Sequence, residues 1–350
     1  MERILVIGAN GQIGSELAAA LAARHGAANV LATDVRPDSR YGAARYERLD
    51  VLDGAALGAV IARENVTQVY QLAALLSASG EKAPLTAWRL NMDGLLNVLE
   101  IARERGAGGR PLRVFWPSSI AAFGPHTPHG LTPQYTTMDP TSIYGISKLA
   151  GERLCEYYHA RYGVDVRSIR YPGIISYRSP PGGGTTDYAI AIFHAALRGA
   201  PYTCFLAPDT TLPMIYMPDA IRATITLMDA PAARIGVRSA YNVAGVSFSP
   251  AELAAAIARR LPDFRIVYQP DERQQIAATW PEALDDAPAR ADWGWEPRVG
   301  IEAIVADMLE HVRLEAALDT PGAPPDVVPA QAVTQLSLPA RQPGFRPARD

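Results

Sequence analysis

Over its first 172 residues the chain alternates short apolar runs with helical stretches, and this alternation restricts the fold more than any other feature. Residues 3–8, Arg-Ile-Leu-Val-Ile-Gly, form a continuous apolar run ending in glycine, which marks a strand buried on both faces. The same reading predicts strands at 30–34, 45–50, 68–72, 113–116 and 166–171, and helices at 14–25, 53–64, 85–106 and 143–162. Strict βαβα order implies an α/β fold: a doubly wound parallel sheet with helices on both faces. After residue 172 the pattern breaks. A loop at 176–187 precedes a helix at 188–199, a strand at 213–217 and a helix opening at Pro218 with Asp219 in its first turn. A helix at 250–260 and a strand at 265–269 follow.

Composition excludes several function classes. With 48% apolar residues the chain has material for a sizeable core, so a wholly disordered chain is excluded. A net charge of −3 supplies no basic field, which argues against a nucleic-acid partner. No run of about 18 apolar residues is present, so no membrane span is expected. The two cysteines, Cys155 and Cys204, have no metal-type or CxxC spacing, and the six histidines have none either. No metal is expected. The absence of a disulfide framework, and of room for a signal peptide before the first strand, points to the cytoplasm. Of the 33 basic residues only Lys82 and Lys148 are lysines.

The first strand runs into Gly8-Ala9-Asn10-Gly11-Gln12-Ile13-Gly14, a GxxGxxG loop opening a helix. Glycines there permit a tight turn and close backbone approach to a pyrophosphate, and the helix N-terminus offers free N–H groups to it. Asp34 ends the second strand, 20 residues past Gly14, where a carboxylate binds ribose hydroxyls and repels a 2′-phosphate. The cofactor expected is therefore NAD, with Arg36 the one neighbour suited to NADP. Asp50 and Val51 close the third strand, and Leu72, Ala73 and Ala74 the fourth. Asp50 is placed to meet an adenine amino group or serves as a polar strand end; the small residues let backbone run beside the cofactor. Residues 1–172 thus read as an NAD-binding Rossmann domain with a returning segment near 213–243. Residues 173–212 and 244–319 read as a smaller mixed α/β C-terminal substrate lobe. The tail at 320–350, with seven prolines in 31 residues, reads as extended chain without a core.

Tyr144-Gly145-Ile146-Ser147-Lys148 places a phenol and an ammonium at i and i+4, on one helix face. A phenol with a pKa near ~10 is a poor base at neutrality, and a neighbouring ammonium lowers that value. Uniform placement of 15 tyrosines and two lysines yields about 0.1 such pairs by chance, so the pair is informative. Ser118 and Ser119 end the fifth strand, where an open α/β sheet lines its ligand crevice. A serine hydroxyl there would bind the substrate oxygen beside the tyrosine.

Together these residues resemble the extended short-chain dehydrogenase/reductase family over about 310 residues, to Tyr171-Pro172-Gly173 and beyond. Several stretches resemble one branch, the L-threonine 3-dehydrogenases. They are Ala73-Ala74-Leu75-Leu76-Ser77, Phe115-Trp116-Pro117-Ser118-Ser119-Ile120, Gly183-Gly184-Thr185-Thr186-Asp187-Tyr188, Met214–Ala220 and Trp280-Pro281. The resemblance implies NAD-dependent oxidation of the L-threonine 3-hydroxyl to 2-amino-3-oxobutanoate, in threonine catabolism, with Tyr144 as general base and Ser119 or Ser118 and Lys148 beside it. It adds Gln12, Ile13, Asn91, Tyr171 and Ile174 to the cofactor site, and a homodimer built on the tyrosine-bearing helix and the helix at 85–106. The substrate carboxylate is expected on the N–H groups of the 182–188 loop and the hydroxyls of Thr185 and Thr186. Asp187 would take the ammonium, Ser77 adds a polar contact, and Trp280 shields the site or fills the core. The competing readings are a sugar-nucleotide epimerase or dehydratase, for which Arg222, Arg234 and Arg238 would hold a diphosphate, and a non-catalytic NAD-binding protein.

Overall fold

The computed structural model describes residues 2–39 and 44–318. The tail at 320–350 lies outside the described residues. Six strands form the central sheet: β1 (Ile4–Ile7), β2 (Val30–Asp34), β3 (Arg45–Arg48), β4 (Gln68–Gln71), β5 (Arg113–Phe115) and, after the short β6 (Ser118–Ser119), β7 (Asp165–Arg167). Their order is β3-β2-β1-β4-β5-β7, with every neighbouring pair parallel. This is the order of doubly wound dinucleotide folds. Residues of β1 alternate between two cores. Ile4 and Val6 pack with α1 (Gln12–His25) on one face, while Leu5 and Ile7 pack with α2 (Gly54–Arg63) on the other. Burial on both sides explains why β1 reads as an unbroken apolar run.

The crossover after β4 departs from the sequence expectation. In place of one helix at 85–106 there are α3 (Ser77–Lys82), α4 (Pro84–Trp88), a π turn at Arg89–Asp93, and α5 (Gly94–Ala107). The wide turn buries Asn91 and Met92. Its continuation in α5 is constrained by Gly94, where a Cβ would approach Val51 Cγ1 to 3.0 Å. The long helix α6 (Ile143–Tyr162) matches its expected bounds. Ser142 Oγ caps it by accepting the Gly145 N–H, and Gly163 ends it at φ 71°.

The strand expected at 166–171 divides at Ser168. Its second half, β8 (Ile169–Tyr171), pairs with β6, Ser118 opposite Arg170 and Ser119 opposite Tyr171, in the same register that sets Phe115 opposite Arg167. Pro117 explains the break, because it has no N–H to carry the β5 ladder onward.

β9 (Gly173–Ile175) leads into the second lobe. The elements that follow are α7 (Tyr188–Leu197), β10 (Tyr202–Cys204), β11 (Leu212–Tyr216), α8 (Met217–Asp229), β12 (Tyr241–Asn242), β13 (Val246–Phe248), α9 (Pro250–Ala258) and β14 (Ile266–Tyr268). Short helices α10 (Glu272–Ala277) and α11 (Ala287–Trp293) precede α12 (Ile301–Leu318). The lobe is mixed in strand sense: β11 runs parallel to β9 and antiparallel to β13. Its core joins α7, α9 and α12 through Phe193, Leu253, Ile257, Val305 and Met308. α8 returns to the central sheet, where Leu227 and Met228 share a core with Val6 and Leu17. Among the described residues no helix is long and apolar enough to cross a membrane.

Candidate active site

The glycine loop is a close-packed cradle. Gly8 has φ +79°, and a Cβ there would stand 2.7 Å from Ala73 N. A Cβ on Gly14 would stand 2.2 Å from Gly8 O, so only glycine lets α1 start this close to the strand end. Gly11, exposed, is the N-cap of α1 and offers no side-chain cap, and no acid occupies the first turn. The N-terminal amides of α1, beginning at half-buried Gln12 and Ile13, thus face an uncapped, anion-favouring end. Asp34 closes the cradle: its carboxylate accepts the Asn10 N–H at 3.1 Å and the Arg36 N–H at 3.2 Å. Half-buried Leu72, Ala73 and Ala74 border it, with Ala73 held at both backbone groups by Gln71. Asp50 accepts the Leu52 N–H beyond β3, and Val51 is buried. The bare backbone, the uncapped helix and the carboxylate at the end of β2 fit a dinucleotide.

Two residues expected at the cofactor have other side-chain partners. Both amide protons of Asn91 are committed, to Leu75 O at 3.1 Å and Ser147 Oγ at 3.2 Å, while its Oδ1 accepts the Leu75 N–H. It pins the segment after β4 to α6. Tyr171 is a core residue whose hydroxyl bonds Thr224 Oγ1, leaving only its backbone toward the crevice. Ile174, half-buried on β9, packs against the same core.

The β6 end and the first turns of α6 bring Ser119, Tyr144 and Lys148 together. Gly145 makes this possible: a Cβ there would collide with Ala121 O at 2.1 Å, so α6 rests directly on the turn after Ser119. The Ser119 side chain lies beside the Tyr144 phenol, while its Oγ accepts the Ala121 N–H at 3.1 Å. Ser118 is turned away. Its buried hydroxyl donates to Glu152 Oε1 at 2.6 Å, which corrects the expectation that it contacts substrate. Lys148, only 2% exposed, donates to Pro117 O at 2.6 Å. Its Nζ lies 4.5 Å over the Trp116 ring and 5.4 Å over the Tyr144 ring. Burial pushes the Tyr144 phenol up to about 12, opposed by the neighbouring Ser119 hydroxyl. Burial pushes the Lys148 ammonium down to about 7, opposed by the Glu152 carboxylate. Sequence reasoning missed the role of Gly145; the signal was a helix-weakening residue inside a helix N-terminal turn.

Behind this cluster lies a buried ion pair that sequence reasoning also missed. Arg170 donates to both oxygens of Glu152, at 2.9 and 2.8 Å, and to Gln134 O, Asn242 Oδ1 and Met138 Sδ. Every N–H of this guanidinium is used. The pair ties α6 to β8, and through Ser118 to β6.

The loop preceding α7 differs from expectation in its hydrogen bonds. Asp187 accepts the Gly184 N–H at 2.8 Å. That amide is therefore taken within the protein, and the Asp187 carboxylate faces its own loop rather than a free ammonium. Thr185 is buried, half-buried Thr186 packs its methyl over Gly173, and Ser77 is half-buried at the start of α3. Trp280 is a core residue of the second lobe, in the cluster that Tyr144 borders. The three arginines considered for a diphosphate have protein acceptors. Arg222 bonds Asp219 and Glu296 O, Arg234 bonds Ala291 O, and Arg238 bonds Asp165 and Ala232 O.

Comparison with known proteins matches this geometry to a family. The family model described as the NAD dependent epimerase/dehydratase family matches residues 4–244. An uncharacterized epimerase/dehydratase of Staphylococcus saprophyticus is 45% identical over 316 residues, 89% of this chain and 97% of the relative. Among solved structures, the GalE-like L-threonine dehydrogenase of Cupriavidus necator, in its holo form, is 60% identical with a TM-score of 0.86, covering 89% of this chain and 99% of that one. The L-threonine dehydrogenase of Clostridium difficile is 43% identical with a TM-score of 0.87, covering 90% and 98%.

Proposed function

The chain belongs to the NAD-dependent epimerase/dehydratase family, and from that premise we propose that it oxidises the 3-hydroxyl of L-threonine to 2-amino-3-oxobutanoate. The observation that carries the reading is the meeting of Ser119, Tyr144 and Lys148, with the Lys148 Nζ 5.4 Å over the Tyr144 ring one turn along α6. It is supported by the threonine dehydrogenases above, which align along nearly their whole length. The engagement of Arg222, Arg234 and Arg238 by protein acceptors weighs against a sugar-nucleotide substrate.

In this mechanism Gly8, Gly11 and Gly14 with the α1 N-terminus hold the pyrophosphate of NAD, and Asp34 holds its adenosine ribose. NAD supplies the hydride acceptor. Ser119 Oγ orients the substrate hydroxyl, and Tyr144 Oη takes its proton. Tyr144 alone is too weak an acid to serve near neutrality, so the Lys148 charge must favour the phenolate. Thr185, Thr186 and Ser77 bind the amino-acid end, and Trp280 walls the site.

The protein acts as a homodimer in this reading. Leu76, Leu85, Trp88, Ile146, Tyr157 and Tyr162 are exposed on the α3–α4 segment and on α6. Sedimentation velocity should give twice the 37.6 kDa chain mass, and Leu85→Asp should shift the population toward monomer.

The deciding assay follows NADH absorbance for purified protein with NAD and a panel of 3-hydroxy amino acids and UDP-sugars. Turnover of L-threonine is expected. Turnover of a UDP-sugar with none of threonine would replace this reading with the epimerase one.

A further inference from the structure

We propose that Trp116 is a positioning residue for Lys148: its indole face carries the buried ammonium and keeps it charged beside Tyr144. The proposal deepens the reading of Tyr144 and Lys148 above.

A buried cation needs compensation, normally from a carboxylate. Lys148 forms no ion pair among the described residues. Glu152, one turn further along α6, is chelated by Arg170 and accepts Ser118. Cys155 lies on the same helix and is a thiol whose burial pushes its pKa up, so it supplies no anion at neutral pH. From β6, the Ser118 hydroxyl is engaged by Glu152 and the Ser119 Oγ accepts the Ala121 N–H, and neither carries a charge. From β8, Arg170 brings a second positive charge, cancelled by Glu152. Glu81 reaches α6 only at its first residue, bonding the Ile143 N–H.

What faces the ammonium is Pro117 O, the Trp116 face, 4.5 Å from Nζ to the ring centroid, and more distantly the Tyr144 ring at 5.4 Å. The ring is itself fixed. It is 3% exposed and packs edge-on against Gly151, where a Cβ would come within 2.3 Å of the indole. Helix α6 thus carries a glycine one turn below the lysine and admits the largest aromatic ring beneath the charge. Tryptophan is the strongest of the aromatic faces for a cation. Loss of the ring disfavours charged Lys148, which lowers its pKa. The field at Tyr144 then becomes less positive and the phenol's pKa rises. The acidic limb of the activity profile moves to higher pH.

The scarcity of lysine makes this measurable without turnover. Full-length protein labelled with ε-13C lysine gives two side-chain signals, Lys82 and Lys148, and Lys82→Arg assigns them. In Trp116→Met the Lys148 titration midpoint should fall by about one pH unit relative to the native chain, with Lys82 unmoved. Biosynthetic 5-fluorotryptophan, which weakens the ring's negative face at nearly unchanged shape, should lower the Lys148 midpoint by a smaller amount. A Lys148 midpoint unmoved in the fluorinated protein and in a folded Trp116→Met overturns the proposal; if Trp116→Met does not fold, the fluorinated protein decides. These midpoints are read without substrate, so absence of threonine turnover would sink the substrate reading and leave this result standing.

Discussion

The proposed function gives Tyr144 and Asp34 separable roles, and single substitutions distinguish them. Removing the Tyr144 hydroxyl would delete the proposed proton acceptor and leave the glycine cradle intact. Tyr144→Phe should therefore lower kcat by about 10²–10⁴-fold while calorimetric NAD affinity stays near native. Near-native turnover would refute the base assignment. Asp34 holds two backbone amides, so its carboxylate is fixed in place, and its charge opposes a 2′-phosphate. Asp34→Ser should narrow the ratio of NAD to NADP kcat/KM, and a native preference for NADP would contradict the reading. The positions of both were legible in the sequence, Asp34 at the end of β2 and Tyr144 in the first turn of α6, because each follows from the strand and helix pattern. The choice between Ser118 and Ser119 was not. Adjacent strand residues point to opposite faces, and which face meets α6 depends on where Pro117 breaks the ladder.

At the scale of elements, the placement of α6 decides whether Ser119 and Tyr144 meet. Gly145→Ala would force the helix off Ala121 O, so kcat should fall by at least tenfold and the Tm should drop by several degrees. Native kcat and Tm in that variant would show that α6 has slack. The alternation of strands and helices to residue 172 was readable because burial on both faces leaves continuous apolar runs. The interruption of the 85–106 helix was not, because a π turn keeps helical periodicity on either side while inserting a wider turn. Nor was the Glu152–Arg170 pair: residues 18 apart in sequence become partners only once β8 lies against β6. Removing one partner of such a pair strands the other charge, at a cost of about 3–5 kcal/mol.

Across the whole molecule, Asp165 joins the central sheet to the returning segment. Burial would raise its carboxyl, but Arg167 and Arg238 outweigh that and hold it at about 2. The folded value lies below the unfolded 3.8, so the bridge's stabilisation is present above about pH 4 and lost as pH falls through about 2. Of order 2 kcal/mol should disappear over that window in urea unfolding, and Asp165→Asn should flatten the pH dependence there. An equally steep loss in the variant would place the acid sensitivity elsewhere. The burial of Lys148 has a practical consequence for the chain as a reagent. With Lys148 sealed beneath Trp116, Lys82 on α3 is the exposed lysine, so amine-reactive dyes or supports acting on lysine attach at one defined site. The native protein thus carries its own single-lysine handle for oriented immobilisation, beside the helices where a second subunit would dock.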